Sequence, residues 1–240
     1  MKKIFILILF FAVLSGYAQE RGDFQRGNDF YAQGQYSKAL LEYQKILSLK
    51  KVSGNLHYNI GNCYVKQGKL AKAVLYYERA KRIMPHDADL VANYNYVSSL
   101  LKHNVTERKP WFMRVIGDFP IDGVSVFLSF VFIALVCALA FCFINKVNRF
   151  RFIFTAVILV IILFGGSFLL KAKLEFLNSQ AVVISSDVQA KFEPLDMATT
   201  HFTLYEGQKV LILDHKQGWY KLKRSDGKVA WVSDACLEKI

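Results

Sequence analysis

The chain has 240 residues, a net charge of +12 and four cysteines. Segment by segment, the excess charge sits in residues 19–110, where 15 Lys and Arg face 8 Asp and Glu. A basic excess confined to one segment that is expected to be exported excludes nucleic acid as the partner and points to an acidic protein surface or anionic lipid headgroups. The cysteines show no metal-ligand spacing and no disulfide framework, because two of them, Cys137 and Cys142, fall inside an apolar run.

The chain opens with Met1-Lys2-Lys3, an apolar stretch over 4–14 and small residues Ser15-Gly16-Tyr17-Ala18. This is the pattern of a secretory signal peptide over 1–18. Residues 19–104 repeat with a period of 34. Gly27 superposes on Gly61, Phe30 on Tyr64, Gly34 on Gly68, Ala39 on Ala73 and Tyr43 on Tyr77. Small residues allow helices to touch, and large aromatics fill the spaces beside them. A further helix over 86–103, N-capped by Asp87 or Asp89, covers the end of the array. These residues resemble the tetratricopeptide repeat family. That resemblance implies an all-α array with a concave binding face, which falls on Asn28, Tyr31, Tyr58, Asn59 and Asn62. Phe24, Asp89 and Asn93 stand where a carboxylate clamp has basic residues, which argues against that subclass.

Residues 105–123 are an interfacial linker, with Trp111, Phe112, Val115, Ile116 and Phe119 on one helical face and Pro120 as its break. Two uncharged apolar runs follow, over 124–144 and 152–170, each close to the ~20 residues that cross a bilayer. The loop between them, 145–151, carries Lys146, Arg149 and Arg151 and no acid. A short basic loop faces the cytoplasm. A two-helix hairpin therefore places residues 19–123 and 171–240 together on the periplasmic side of an inner membrane.

After a linker over 171–180, the period changes from helix to strand. Short β-rich runs over 181–184, 188–192, 209–214, 219–223, 229–232 and 237–240 are punctuated by Gly207, Gly218 and Asp226-Gly227. The strings Leu204-Tyr205-Glu206-Gly207, Gly218-Trp219-Tyr220-Lys221-Leu222 and Asp226-Gly227-x-x-Ala230-Trp231-Val232 resemble the bacterial SH3-like family. Residues 181–240 are thus expected to form a small all-β barrel. Tyr205, Trp219 and Tyr220 are its candidate ligand aromatics, and Trp231 is expected in its core.

No nucleophile, paired-carboxylate, phosphate-loop or metal constellation is present in the sequence, so no enzyme activity, cofactor or metal is expected. The order of parts resembles the BatE-like proteins of the bacterial Bat aerotolerance operon. That resemblance implies a scaffold for co-encoded membrane proteins with von Willebrand factor A-type domains. The rival expectation is a protein that binds peptidoglycan through the barrel and recruits an enzyme through the repeats.

Overall fold

The computed structural model describes residues 22–101, 121–144 and 149–240. The expected signal segment, residues 102–104 of the expected repeat domain, residues 105–120 of the interfacial linker and loop residues 145–148 lie outside the described residues.

The repeat region is a series of antiparallel helices: α1 (22–32), α2 (Tyr36–Ser48), α3 (Gly54–Lys66), α4 (Leu70–Ile83) and α5 (Ala88–Leu100). The repeat period has a direct steric cause. A Cβ at Gly27 would lie 2.4 Å from the ring of Tyr43, and one at Gly61 would lie 2.6 Å from the ring of Tyr77. Each tyrosine therefore lies flat against the backbone of the preceding helix, and both are almost completely buried. The turns at Gly34 and Gly68 hold φ of 75° and 73°, the left-handed region glycine enters without penalty. Ser53 caps α3 by accepting from the Leu56 amide at 3.1 Å, and Asp87 caps α5 by accepting from Leu90 at 2.8 Å. Asp87, not Asp89, is thus the cap of the closing helix.

Two long apolar helices follow, α6 (Ile121–Ile144) and α7 (Arg149–Asn178). Both are long and apolar enough to cross a bilayer. They pack on each other through Val131, Ala138 and Ala156, and Leu128 fills the space above Gly166. Their remaining surface is apolar and exposed, with Phe130, Phe164 and Phe168 among the outward side chains. The boundaries differ from those expected. Helix α6 begins at Ile121, inside the expected linker. Helix α7 begins at Arg149 and continues through 171–178, because Lys171-Ala-Lys-Leu-Glu is as good a helix former as the apolar run before it.

With Ser179 alone between them, α7 leads into a seven-stranded antiparallel sheet: β1 (Gln180–Val183), β2 (Val188–Lys191), β3 (Thr200–Leu204), β4 (Lys209–Lys216), β5 (Trp219–Lys223), β6 (Val229–Ser233) and β7 (Leu237–Lys239). The strand order is β3-β2-β6-β5-β4-β1-β7, so β3 and β7 are the edges and the pairings do not close a barrel. Strand β3 was not expected from the sequence. The β4–β5 hairpin turns at Gln217 and Gly218, whose φ values of 48° and 81° suit the right-handed twist of the strands they join. Val183, Ala190, Leu204, Leu222, Ala230 and Val232 form the core of the sheet.

The array and the sheet pack against each other. Val182 belongs to the apolar cluster of the array, and Ile240 lies against it. Helix α4 supplies the polar contacts. Glu78 pairs with Lys209 at 3.1 Å, and Arg79 pairs with Glu238 at 3.2 Å while donating to the Lys239 carbonyl at 2.6 Å. Arg82 donates to the Ile240 carbonyl at 2.7 Å and to the Leu177 carbonyl at the end of α7. Edge strand β7 is thereby capped by the arginines of the array.

Candidate functional site

The side of the array that carries Asn28 and Asn62 is built twice, 34 residues apart. In the first copy, Asn28 Oδ1 accepts from Tyr43 OH at 2.7 Å and from Asn59 Nδ2 at 3.0 Å. In the second, Asn62 Oδ1 accepts from Tyr77 OH at 2.6 Å and from Asn93 Nδ2 at 3.4 Å. Asn93 also donates to Tyr58 OH at 2.7 Å. Each central carbonyl is filled by two donors. What Asn28 and Asn62 offer outward is therefore their NH₂ group.

Burial pushes the phenols of Tyr31, Tyr43 and Tyr77 up from their ordinary value, so these hydroxyls act as neutral donors and acceptors. Tyr31, Tyr58, Asn62, Lys66, Asn93 and Tyr96 surround a cleft of about 330 Å³ on this side. Tyr96 stands 61% exposed at its rim. The arrangement presents aromatic surface, amide donors and one cation, and no nucleophile. It can hold the carbonyls and apolar side chains of an extended chain.

Of the five array residues expected from the sequence, Tyr31, Tyr58 and Asn62 line this cleft, while Asn28 and Asn59 bond to each other in the first copy and are not among its lining residues. Asn28, Asn59 and Asn62 are first of all structural, because their amides hold the buried tyrosine hydroxyls. Asn93, Tyr96 and Lys66 were missed. Continuing the 34-residue superposition one step would have found the first two, since Asn59 maps to Asn93 and Asn62 to Tyr96.

The three sheet aromatics do not form one patch. Tyr205 lines a crevice of about 190 Å³ between the end of α5 and the sheet, beside Leu101 and Glu206. Tyr220 packs toward the core and meets His215, with ring centroids 4.5 Å apart. Trp219 points to the other face of β5. Trp231 is half-buried on that same outer face, and the core positions of β6 belong to Ala230 and Val232. The core expectation for Trp231 is therefore corrected.

None of the four cysteines forms a disulfide. Cys63 lies in the array core, where burial pushes its thiol up to about 12, out of reach of thiolate chemistry at neutral pH. Among the described residues, no group of three or more His, Cys, Asp and Glu side chains is placed to hold a metal ion.

Comparison with known families agrees with the internal repeat. Residues 54–87 match the tetratricopeptide repeat family, and residues 27–68 match a second model of the same repeat. The region 27–87 therefore carries tetratricopeptide repeats, a type of scaffold that mediates protein–protein interaction. No curated protein matches the chain.

Proposed function

We propose that this chain is a non-enzymatic, membrane-anchored adaptor whose repeat array holds an extended segment of a partner protein. The observation that carries the reading is the cleft lined by α3 and α5. There Tyr31, Tyr58 and Tyr96 surround the amide of Asn62, and Lys66 supplies a positive charge. Amide donors match backbone carbonyls, and tyrosine faces take side chains at low entropic cost.

Helices α6 and α7 are read as a hairpin across an inner membrane. The direct contact of Arg82 with the end of α7, and of Glu78 with β4, supports a common side for array and sheet. The basic residues Lys146, Arg149 and Arg151 support a cytoplasmic loop, which makes both modules periplasmic. The sheet is read as an SH3-like module on the Gly-Trp-Tyr and Ala-Trp-Val strings. Bat-type membrane proteins with von Willebrand factor A-type domains are the partners that the order of parts implies.

A photo-crosslinking residue in place of Tyr96, in the full chain in native membranes, tests the cleft. One dominant adduct is expected, lost on Lys66→Glu. Adducts that are absent, or indifferent to Lys66→Glu, refute the assignment. Topology is tested with single cysteines at Lys50, Asn148 and Lys228 in a cysteine-free background. An impermeant maleimide should label the first and last from the periplasm and not the second.

A further inference from the structure

We propose that the outer face of the sheet, centred on Trp219 and Trp231, lies against the anionic headgroups of the membrane that α7 crosses. Strand alternation assigns the face. Leu222, Ala230 and Val232 point into the core, so their neighbours Lys221, Lys223, Trp219 and Trp231 point out. Register then fixes who stands beside whom. Lys221 and Lys191 both lie directly opposite Trp231, and Lys216 lies opposite Trp219. Trp219 and Trp231 are diagonal neighbours across β5 and β6, within reach of each other's rings.

The ammonium groups lie over the indoles. Lys191 Nζ is 5.9 Å from the Trp219 ring and Lys221 Nζ is 5.9 Å from the Trp231 ring. The lysine stems cover apolar surface. Lys191 Nζ also donates to the Asp196 carbonyl, which holds its head over Trp219 and leaves the ammonium's other two N–H donors for an anion. Four lysines, 191, 216, 221 and 223, thus surround two tryptophans. Asp214, opposite Lys221, is the acid in those rows. Aromatic rings interleaved with lysines are the composition of a membrane interface.

The position of the face selects lipid over other anions. Strand β1 starts two residues after α7 ends, and Ser179 accepts from the Ile212 amide at 2.6 Å. Because Gln180 lies opposite Leu211 and the two strands are antiparallel, residues 213–218 run past the start of β1, at the end of the sheet where α7 joins. That hairpin extends roughly 15–20 Å at ~3.3 Å per residue. The apolar stretch of α7 ends at Leu170, only eight residues before Asn178, or about 12 Å of helix. The hairpin is therefore long enough to return to the headgroup layer, carrying Lys216 and Trp219 with it.

The proposal rests on the reading of α7 as a membrane span, and the experiment separates the two. The full chain carries three tryptophans. With Trp111→Phe only Trp219 and Trp231 report. The protein is reconstituted into vesicles of phosphatidylcholine alone, or of phosphatidylcholine with phosphatidylglycerol, each doped with a headgroup nitroxide lipid. Indole quenching about twofold stronger in the anionic vesicles is expected, falling as salt is raised. Lys191→Glu with Lys221→Glu should abolish the excess, and Lys216→Gln with Lys223→Gln should reduce it. Equal quenching in both lipids with no salt dependence overturns the proposal. So does an emission shift produced only by soluble peptidoglycan fragments or an acidic peptide. Protein released from vesicles by an alkaline wash would refute the spanning reading. Protein that stays inserted but is not quenched refutes the headgroup contact alone.

Discussion

Glu78 on α4 and Lys209 on β4 form an ion pair at 3.1 Å across the contact between the array and the sheet. Glu78 is 6% exposed. Burial alone would raise its pKa, yet the charges of Lys209 and Lys81 and hydrogen bonds from Tyr94 and Lys209 outweigh it and hold the carboxyl below its ordinary value. The preceding residue, Tyr77, reaches the opposite side of the same helix and donates to Asn62 in the cleft. Helix α4 is thus shared between the cleft and the sheet.

Breaking that pair from one side should cost more than removing it entirely. Lys209→Met leaves a buried carboxylate without its partner, at a cost of about 3–5 kcal/mol. Glu78→Leu combined with Lys209→Met replaces the pair with apolar packing and should recover most of that loss. Urea unfolding of the full chain in detergent, analysed as a double-mutant cycle, measures the coupling. Additive effects of the two single variants would mean that the pair does not hold the modules together.

The repeat itself is the part of the fold most legible in the sequence, because its signal is steric. A glycine must stand wherever a tyrosine ring touches the helix before it. Gly61→Ala places a Cβ 2.6 Å from the Tyr77 ring and should cost about 1–3 kcal/mol, and Gly61→Leu should unfold the array. Asn62→Ala removes the acceptor of the buried Tyr77 hydroxyl and should cost about 1–3 kcal/mol without any ligand present. Tyr96→Ser, at the exposed rim, should leave the unfolding midpoint unchanged. An Asn62→Ala variant as stable as the parent would mean that its amide serves the cleft alone.

Other features were not legible, for identifiable reasons. In Val229-Ala230-Trp231-Val232 both faces of the strand are apolar, so alternation alone does not say which residues turn inward. Strand β3 follows a loop containing Pro194, and its Thr200-His201-Phe202-Thr203-Leu204 pairs through a bulge between Ala190 and Lys191, which blurs the period. Nothing in the sequence marks Glu78, Arg79 and Arg82 as an interface. Only the folded chain brings them to Lys209, Glu238 and Ile240, more than 100 residues away.

The outward position of Trp231 changes what its removal should do. Trp231→Ala should leave the sheet folded, since the cavity it creates opens to solvent. Leu222→Ala, at a fully buried site between β4 and β6, should cost about 2–5 kcal/mol and dominate any comparison. Near-ultraviolet circular dichroism and urea midpoints of the two variants distinguish these outcomes. Loss of the folded sheet in Trp231→Ala would return that ring to a core role.

His57 makes the array sensitive to acid. The ring is 7% exposed against Tyr76, and its Nδ1 has no hydrogen-bond partner among the described residues. Burial first, and the charge of Arg79 second, push its pKa down to about 4. In the unfolded chain it returns to about 6.5. Above that value neither state binds the proton and stability does not depend on this group. As pH falls from about 6.5 toward about 4, the unfolded chain takes up a proton that the folded one refuses, and stability is lost over that window. The loss amounts to about 3 kcal/mol by the time both states are protonated. Lowered carboxylates such as Asp226, held at about 2 by Arg224, lose their contribution at lower pH. The difference between the parent and His57→Phe therefore isolates the histidine. Urea unfolding followed by helical circular dichroism, near pH 7 and near pH 4.5, should give a marked drop for the parent and a small one for His57→Phe. Equal drops in both would show that His57 is solvated or protonated in the folded array.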